Sequence, residues 1–465
     1  MKFFAIIIIT LLLTQISFSQ DITGSWNGIL KVQNIQLRIV FNIVKTDSSY
    51  MSTMDSPDQG AKDIKVDFTL FENSILKLEI KDAKIKFNGE LKDKIIVGKF
   101  NQGGQVFDLN LSKEIIEKDK VSRPQEPLKP YPYKSEDVTF NNKKANIKLA
   151  GTFTFPSFGE EFPVVVLISG SGPQNRDEEL LSHKPFLVIS DFLSRNGIAV
   201  LRYDDRGTYG SEGDFSKATS LDFASDVESA VEFLKTRKEV DIKKIGLIGH
   251  SEGGIIAPMV ASKSKDIRFI ILLSGTGVSG DKLLLTQQEL ISKASGVPES
   301  EIIKSNAINK IVFTMIVKSN NIIKLKTDLN NYLINELKKL NQIDSSNEAT
   351  QKELIANQVK QITTPWMMFF LKYDPAKALE KTNCAVLALN GSNDLQVSPK
   401  QNLVAISNSL KKGGNNNFTI KELPKLNHLF QESKTGSPTE YSTIEQTFSP
   451  IALEEILSWI KTQVK

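Results

Sequence analysis

Two rhythms of apolar and polar residues divide the chain. From Asp21 to about Lys113 the rhythm has a period of two: Ile35, Leu37, Ile39, Phe41 and Ile43 alternate with other residues, as do Ile64, Val66, Phe68 and Leu70, then Ala83, Ile85 and Phe87. Alternate side chains on a strand share one face, so each run reads as a half-buried strand. The Asn, Gly and Asp turns between runs predict an antiparallel sheet curled into a small barrel or sandwich, spanning 21–115. Further along, Pro163 to Ser169, Ile198 to Tyr203, Ile245 to Gly249, Phe269 to Ser274 and Ala385 to Leu389 are unbroken apolar runs, each followed by a turn and later by a helical stretch. Strands without polar alternation are buried on both faces, which predicts a mostly parallel sheet covered by helices. The alternating "NIKLAGTFTF", Asn146 to Phe155, is expected to precede it as an antiparallel edge strand, and Phe418 to Leu423 to extend it.

Between the two rhythms lies "VSRPQEPLKPYPY", Val121 to Tyr133, with four prolines and no periodicity. Residues 116–134 are therefore assigned to a semi-rigid linker and 135–465 to the α/β domain. Within that domain, Gly280 to about Lys381 holds no strand candidate, only helical segments such as "NNYLINELKKLNQI", Asn330 to Ile343. This insertion, about residues 281–381, follows a strand whose C-terminal end would border the crevice of such a sheet, so it reads as a lid over a site rather than as an added packing layer.

The first residues carry a different message. Lys2 is followed by an apolar run from Phe3 to Leu13, broken by Thr10, and then by the small-residue segment Ser17-Phe18-Ser19. Residues 1–20 are expected to be a removed export signal, because the run is shorter than the ~20 residues a spanning helix needs. The mature chain is thus expected in the periplasm or outside the cell, with no stable membrane anchor. A single cysteine, Cys384, rules out an intrachain disulfide. With 58 basic and 54 acidic residues, net +4, there is no electrostatic footprint for nucleic acid.

Candidate chemistry centres on "IGLIGHSEGGIIAP", Ile245 to Pro258. A strand, a tight turn and a helix around Gly249-His250-Ser251-Glu252-Gly253 form a G-x-S-x-G nucleophile elbow, which lifts the serine oxygen above the sheet. Its two glycines are needed where strand and helix backbones approach closely. A serine hydroxyl needs a base, usually a histidine held by a carboxylate. The chain has three histidines. His250 adjoins the serine and His183 precedes it, whereas in this arrangement the base comes last, leaving His428 in "PKLNHLF", before a helix expected over Ile444 to Lys461. The acid is expected at a strand end between them, and Asp394 is the first acidic residue in "CAVLALNGSNDLQVSP". Oxyanion donors are expected from the backbone N–H of Glu252 and, in "LISGSGPQNRD", from Ser171, with Gly172 as alternate. Asn175, Arg176 and Asp177 either contact substrate polar groups or brace that loop. His250 is expected to be structural, and Glu252 to act mainly through its backbone.

The GHSEGG elbow, the segment "GSGPQNRD", the stretch "LRYDDRGTYGSEG" from Leu201 to Gly213 and the NGSND acid turn, in that order, resemble bacterial α/β-hydrolase carboxylesterases, the serine aminopeptidase-like hydrolases. The N-terminal "SPDQGAK", Ser56 to Lys62, resembles a stretch found ahead of such hydrolases, and Gly24-Ser25-Trp26 resembles the opening of lipocalin-like barrels, where Trp26 is expected to plug the core rather than line a cavity. The resemblance implies an α/β-hydrolase fold with a helical cap, a broad-tolerance esterase for short acyl chains, a Ser251-Asp394-His428 triad, no metal or other cofactor, and a structural pairing of Arg206 with a carboxylate. A small-molecule ester is the expected substrate. Thioesterase, peptidase or acyltransferase chemistry would use the same parts, and the rival of a different class is a lipid- or glycan-binding protein with an inert hydrolase domain.

Overall fold

The computed structural model describes residues 21–32, 35–47, 49–59, 61–115, 122–340 and 348–465. The expected export signal, residues 1–20, and residues 116–121 of the expected linker lie outside them. The chain divides into two compact units, 1–120 and 121–465.

The first unit is a nine-stranded antiparallel sheet made of β1 (Gly24–Val32), β2 (Ile35–Lys45), β3 (Tyr50–Ser56), β4 (Ala61–Lys65), β5 (Phe68–Glu72), β6 (Ile75–Ile80), β7 (Ile85–Lys92), β8 (Ile95–Gln102) and β9 (Gln105–Ser112), in the order 4-3-2-1-9-8-7-6-5. The edge strands β4 and β5 are separated along the chain only by Val66 and Asp67. Val66 N–H donates to Ser52 O on β3, and the Ser52 and Thr69 hydroxyls meet, so the sheet curls round on itself. Period-two alternation follows from this, with Ile85 and Phe87 turned inward and Lys86 and Asn88 outward. Trp26, Phe41, Phe87 and Phe100 fill the interior, and Trp26 Nε1 donates to Ile22 O at 2.7 Å, so the indole packs as core.

The second unit is an eight-stranded mixed sheet: β10 (Tyr133–Asn142), β11 (Ile147–Pro156), β12 (Phe162–Ile168), β13 (Ala199–Tyr203), β14 (Val240–His250), β15 (Ile267–Leu273), β16 (Ala385–Gly391) and β17 (Phe418–Leu423), in the order 10-11-13-12-14-15-16-17. β10, β11 and β13 pair antiparallel, and every pair from β13 to β17 is parallel. Helices α1 (Pro185–Arg195), α2 (Ser220–Leu234), α3 (Gly253–Ala261), α10 (Pro399–Lys412) and α11 (Pro450–Gln463) cover it, forming one apolar cluster around α2 and α3 and another around α1 and α11. Between β15 and β16 lie only helices: α4 (Gly280–Ala294), α5 (Glu299–Lys318), α6 (Ile322–Lys339), α7 (Glu348–Ile362), α8 (Pro365–Lys372) and α9 (Ala376–Leu379). Val312, Ile316, Leu325, Leu329, Ile355 and Val359 give this insertion its own core. This is the α/β-hydrolase architecture with a helical insertion that the motifs implied. No helix among the described residues is long and apolar enough to cross a membrane.

Three expectations are corrected. The edge strand is β10, not Asn146 to Phe155, which is its inner neighbour; β10 alternates polar and half-buried positions and so escapes a search for apolar runs. The proline-rich segment is only partly a linker. From residue 122 it is bonded into the second unit, Arg123 donating to the carbonyls of Leu181, Ser442 and Ile444 and Gln125 Oε1 accepting from Thr447 and Phe448 N–H. The last helix begins at Pro450, whose ring fits the first helical turn, and not at Ile444.

Candidate active site

β14 delivers Ser251 to the C-terminal edge of the parallel strands. The residue sits at φ 52°, a left-handed conformation strained for serine, and its N–H donates to Leu273 O at 2.9 Å. The flanking glycines allow the turn: a Cβ on Gly249 would lie 2.0 Å from Gly253 O, and one on Gly253 would lie 2.2 Å from Ile168 O. Ser251 is half-buried, and its hydroxyl bonds to no other described residue.

The candidate acid and base meet on the loops after β16 and β17, and the His428 carbonyl lies 2.9 Å from Nε2 of His250, the residue before Ser251. Asp394, after β16, is buried; its Oδ1 accepts N–H bonds from Gln396 at 2.9 Å and Val397 at 2.8 Å, and its Oδ2 accepts from Asn390 Nδ2 at 3.1 Å. Oδ2 also meets His428 Nδ1 at 2.9 Å. An oxygen that only accepts keeps the hydrogen on Nδ1, which leaves Nε2 as the acceptor nitrogen. The base loop is held close because Gly391 packs where a Cβ would lie 2.1 Å from Leu426 O.

The loop after β12 supplies free donors. Neither Ser171 nor Glu252 N–H is bonded within the described residues, while the rest of the loop is strapped down. Gly170 N–H donates to Glu178 Oε1 at 2.7 Å, Ser169 Oγ to Asp205 Oδ1 at 2.7 Å and Gln174 N–H to Asp205 Oδ2 at 2.9 Å. Burial pushes the Asp205 carboxyl up to about 8; the Ser169 and Gln174 bonds oppose this, and the charges of Glu252 and Glu178 add to it.

Of the two readings for Asn175 and Arg176, the structure shows the brace and not the substrate contact. Arg176 donates to Asp204, Asp137, Gly151 O and the Thr152 hydroxyl, so its guanidinium is spent inside the fold. Asn175 Oδ1 accepts from the N–H groups of Asp177 and Glu179, capping its own turn. Arg206 pairs with buried Asp226 at 2.7 Å. His183 is buried against Thr447, Tyr441 O and Gln431, and burial lowers it to about 4.

Three contributors went unseen in the sequence: Glu178, Ser220 and Trp366, the partners of His250 and Glu252. His250 is buried with Nδ1 2.9 Å from Glu178 Oε1 and Nε2 2.9 Å from His428 O. The Glu252 side chain, expected to be a bystander, accepts from Ser220 Oγ at 2.5 Å and from Trp366 Nε1 at 2.8 Å, tying helix α8 of the insertion to the elbow. Burial pushes its carboxyl above the usual range despite those two bonds. Partners this distant along the chain leave no spacing pattern in the sequence.

A family model described as X-Pro dipeptidyl-peptidase (S15 family) matches residues 129–422. Esterase EstD of Thermotoga maritima is 25% identical over 338 residues, covering 71% of this chain and 68% of that protein. Among solved structures, an esterase of Pyrococcus furiosus, Pf2001, aligns over 75% of this chain and 100% of its own with 15% identity and a TM-score of 0.44. Est1E of Butyrivibrio proteoclasticus with bound ferulic acid aligns over 70% and 99% with 16% identity and a TM-score of 0.41.

Proposed function

The chain belongs to the X-Pro dipeptidyl-peptidase family (S15) and is an α/β-hydrolase of the carboxylesterase class, and from that premise we propose that it cleaves carboxylic esters of short acyl chains through an acyl-enzyme on Ser251. Ser251 Oγ attacks the acyl carbonyl as His428 Nε2 takes its proton, while Asp394 keeps the His428 hydrogen on Nδ1 and faces the imidazolium that forms. Charge gathering on the carbonyl oxygen is met by the N–H groups of Ser171 and Glu252. His428 then passes its proton to the departing alkoxide, and a water activated by the same nitrogen releases the acid and restores Ser251.

The observation that carries this reading is the buried 2.9 Å bond between Asp394 and His428, whose carbonyl meets the ring of His250 next to a serine at φ 52°. The insertion serves as a cap, supported by the Trp366–Glu252 bond. A second reading comes from the family description, which names a peptidase of X-Pro bonds; the same triad would attack that amide. The sequence of residues 1–20 further supports export of the mature chain.

A panel of p-nitrophenyl acetate, butyrate and octanoate, acyl thioesters and Xaa-Pro p-nitroanilides tests these readings. Ester turnover highest for acetate or butyrate and lost in Ser251→Ala is expected. Turnover of Xaa-Pro anilides alone would establish the peptidase reading instead. Binding of lipid or glycan without turnover of any member would return the inert binding protein to consideration.

A further inference from the structure

Behind the triad lies a second histidine–carboxylate pair that the mechanism above does not use. His250, the last residue of β14, is 7% exposed, and its partner Glu178 on the loop before α1 is 5% exposed. The ring spans three segments of the site. Its Nε2 meets the His428 carbonyl at 2.9 Å, its Nδ1 meets Glu178 Oε1 at 2.9 Å, and that oxygen also accepts the Gly170 N–H at 2.7 Å, one residue before the Ser171 donor. The His250 and His428 rings lie 4.9 Å apart, centroid to centroid.

Hydrogen accounting fixes the state of this pair. A carbonyl only accepts, so His250 Nε2 carries a hydrogen. Glu178 Oε1 already accepts from Gly170, the role of a carboxylate oxygen, so the hydrogen between it and His250 belongs on Nδ1. Both ring nitrogens are then protonated. Burial is the largest influence and opposes that charge, yet the Glu178 carboxylate, the His428 carbonyl and Asp394 together raise His250 above the usual histidine value. A cavity of only about 10 Å³ adjoins the pair, walled by Phe186, Ile189, Leu273 and Phe448. Room so slight leaves the pair without bulk water to screen it.

We propose that His250 and Glu178 are positioning residues for the acyl transfer: a buried imidazolium–carboxylate pair that sets the oxyanion loop and the base loop in register, His250 Nε2 holding the His428 carbonyl while Glu178 holds the Gly170 N–H. This rests on the reading of His428 as the base. Other ionisable groups around the two rings are Asp394 on the β16 loop and the Tyr441 hydroxyl beside the base loop, while Asp205 on the β13 loop and Glu252 on the elbow couple to one another and Asp205 to Glu178.

Two measurements on the full chain test this. With only three histidines in the chain, ring spectra of protein labelled with ¹⁵N-histidine resolve each one, and His250 is expected to show two ring N–H groups at pH 7. A His250 that is a neutral single tautomer at pH 7 overturns the proposal without any variant. Glu178→Gln keeps an acceptor for Gly170 but removes the charge that protonates His250. Its ester kcat/KM is expected to fall tenfold or more, the loss falling on kcat with KM little changed. An unchanged kcat, or a loss confined to KM, means a merely structural pair and overturns the proposal. An active His428→Gln would instead overturn the assignment of the base itself.

Discussion

Replacing Asp394 by Asn tests the triad through hydrogen-bond polarity alone. The four donors around Asp394 fix how an amide must sit: the N–H groups of Gln396 and Val397, at 2.9 and 2.8 Å, require its oxygen at the Oδ1 position. The new Nδ2 then faces Asn390 Nδ2, formerly 3.1 Å from Oδ2, and His428 Nδ1, formerly 2.9 Å away. Donor meets donor at Asn390. His428 can satisfy the amide only by accepting on Nδ1, which moves its hydrogen to Nε2 and blocks proton uptake from Ser251. A wrong tautomer of this kind in a Ser-His-Asp site lowers kcat by ~10⁴, or about 5 kcal/mol of transition-state stabilisation. The Asn390 clash adds a folding cost of ~1–3 kcal/mol. Kinetics on p-nitrophenyl butyrate, with thermal unfolding followed in parallel, separate the two effects. A kcat within tenfold of the unaltered protein in folded Asp394→Asn would refute the assigned role of Asp394.

Other consequences are open to simpler tests. Trp366→Phe keeps the stack on Phe370, with centroids 5.2 Å apart, but deletes the 2.8 Å bond to Glu252; KM for esters should rise severalfold with kcat little changed, and an unchanged KM would detach the cap from substrate binding. Gly249→Ala places a methyl 2.0 Å from Gly253 O, backbone against backbone; melting curves should show a loss of ~3 kcal/mol or more, or no soluble protein. Asp205 is raised from 3.8 to about 8 by burial, so the stability tied to its neutral form is complete below about pH 4 and fades as pH climbs to about 8. Asp205→Asn, which can still accept from Gln174 and donate to Ser169, should therefore raise Tm at pH 8 more than at pH 5, and an equal effect at both would contradict the assigned state.

Much of the site is legible in the sequence because its chemistry uses scarce or punctuated positions. Ser251 announces itself through two glycines whose absent side chains the structure requires. Elimination among three histidines leads to the one that lies 2.9 Å from Asp394, and the turn residues after an apolar strand lead to Asp394. What stays hidden depends on contacts with no sequence rhythm. Glu178 reaches His250 across 72 positions and Trp366 reaches Glu252 across 114, so neither pairing leaves a periodic trace. β10 escapes because an edge strand buries few residues, and the Arg123 and Gln125 anchors because a proline-rich stretch reads as linker whether or not its polar side chains find partners.

Covalent labelling of the serine tests the central claim most directly. The protein treated with a fluorophosphonate and then mapped by peptide mass is expected to carry a single adduct on Ser251, with none on Ser251→Ala. Labelling that persists in that variant, or an unlabelled protein that still hydrolyses esters, would contradict the account.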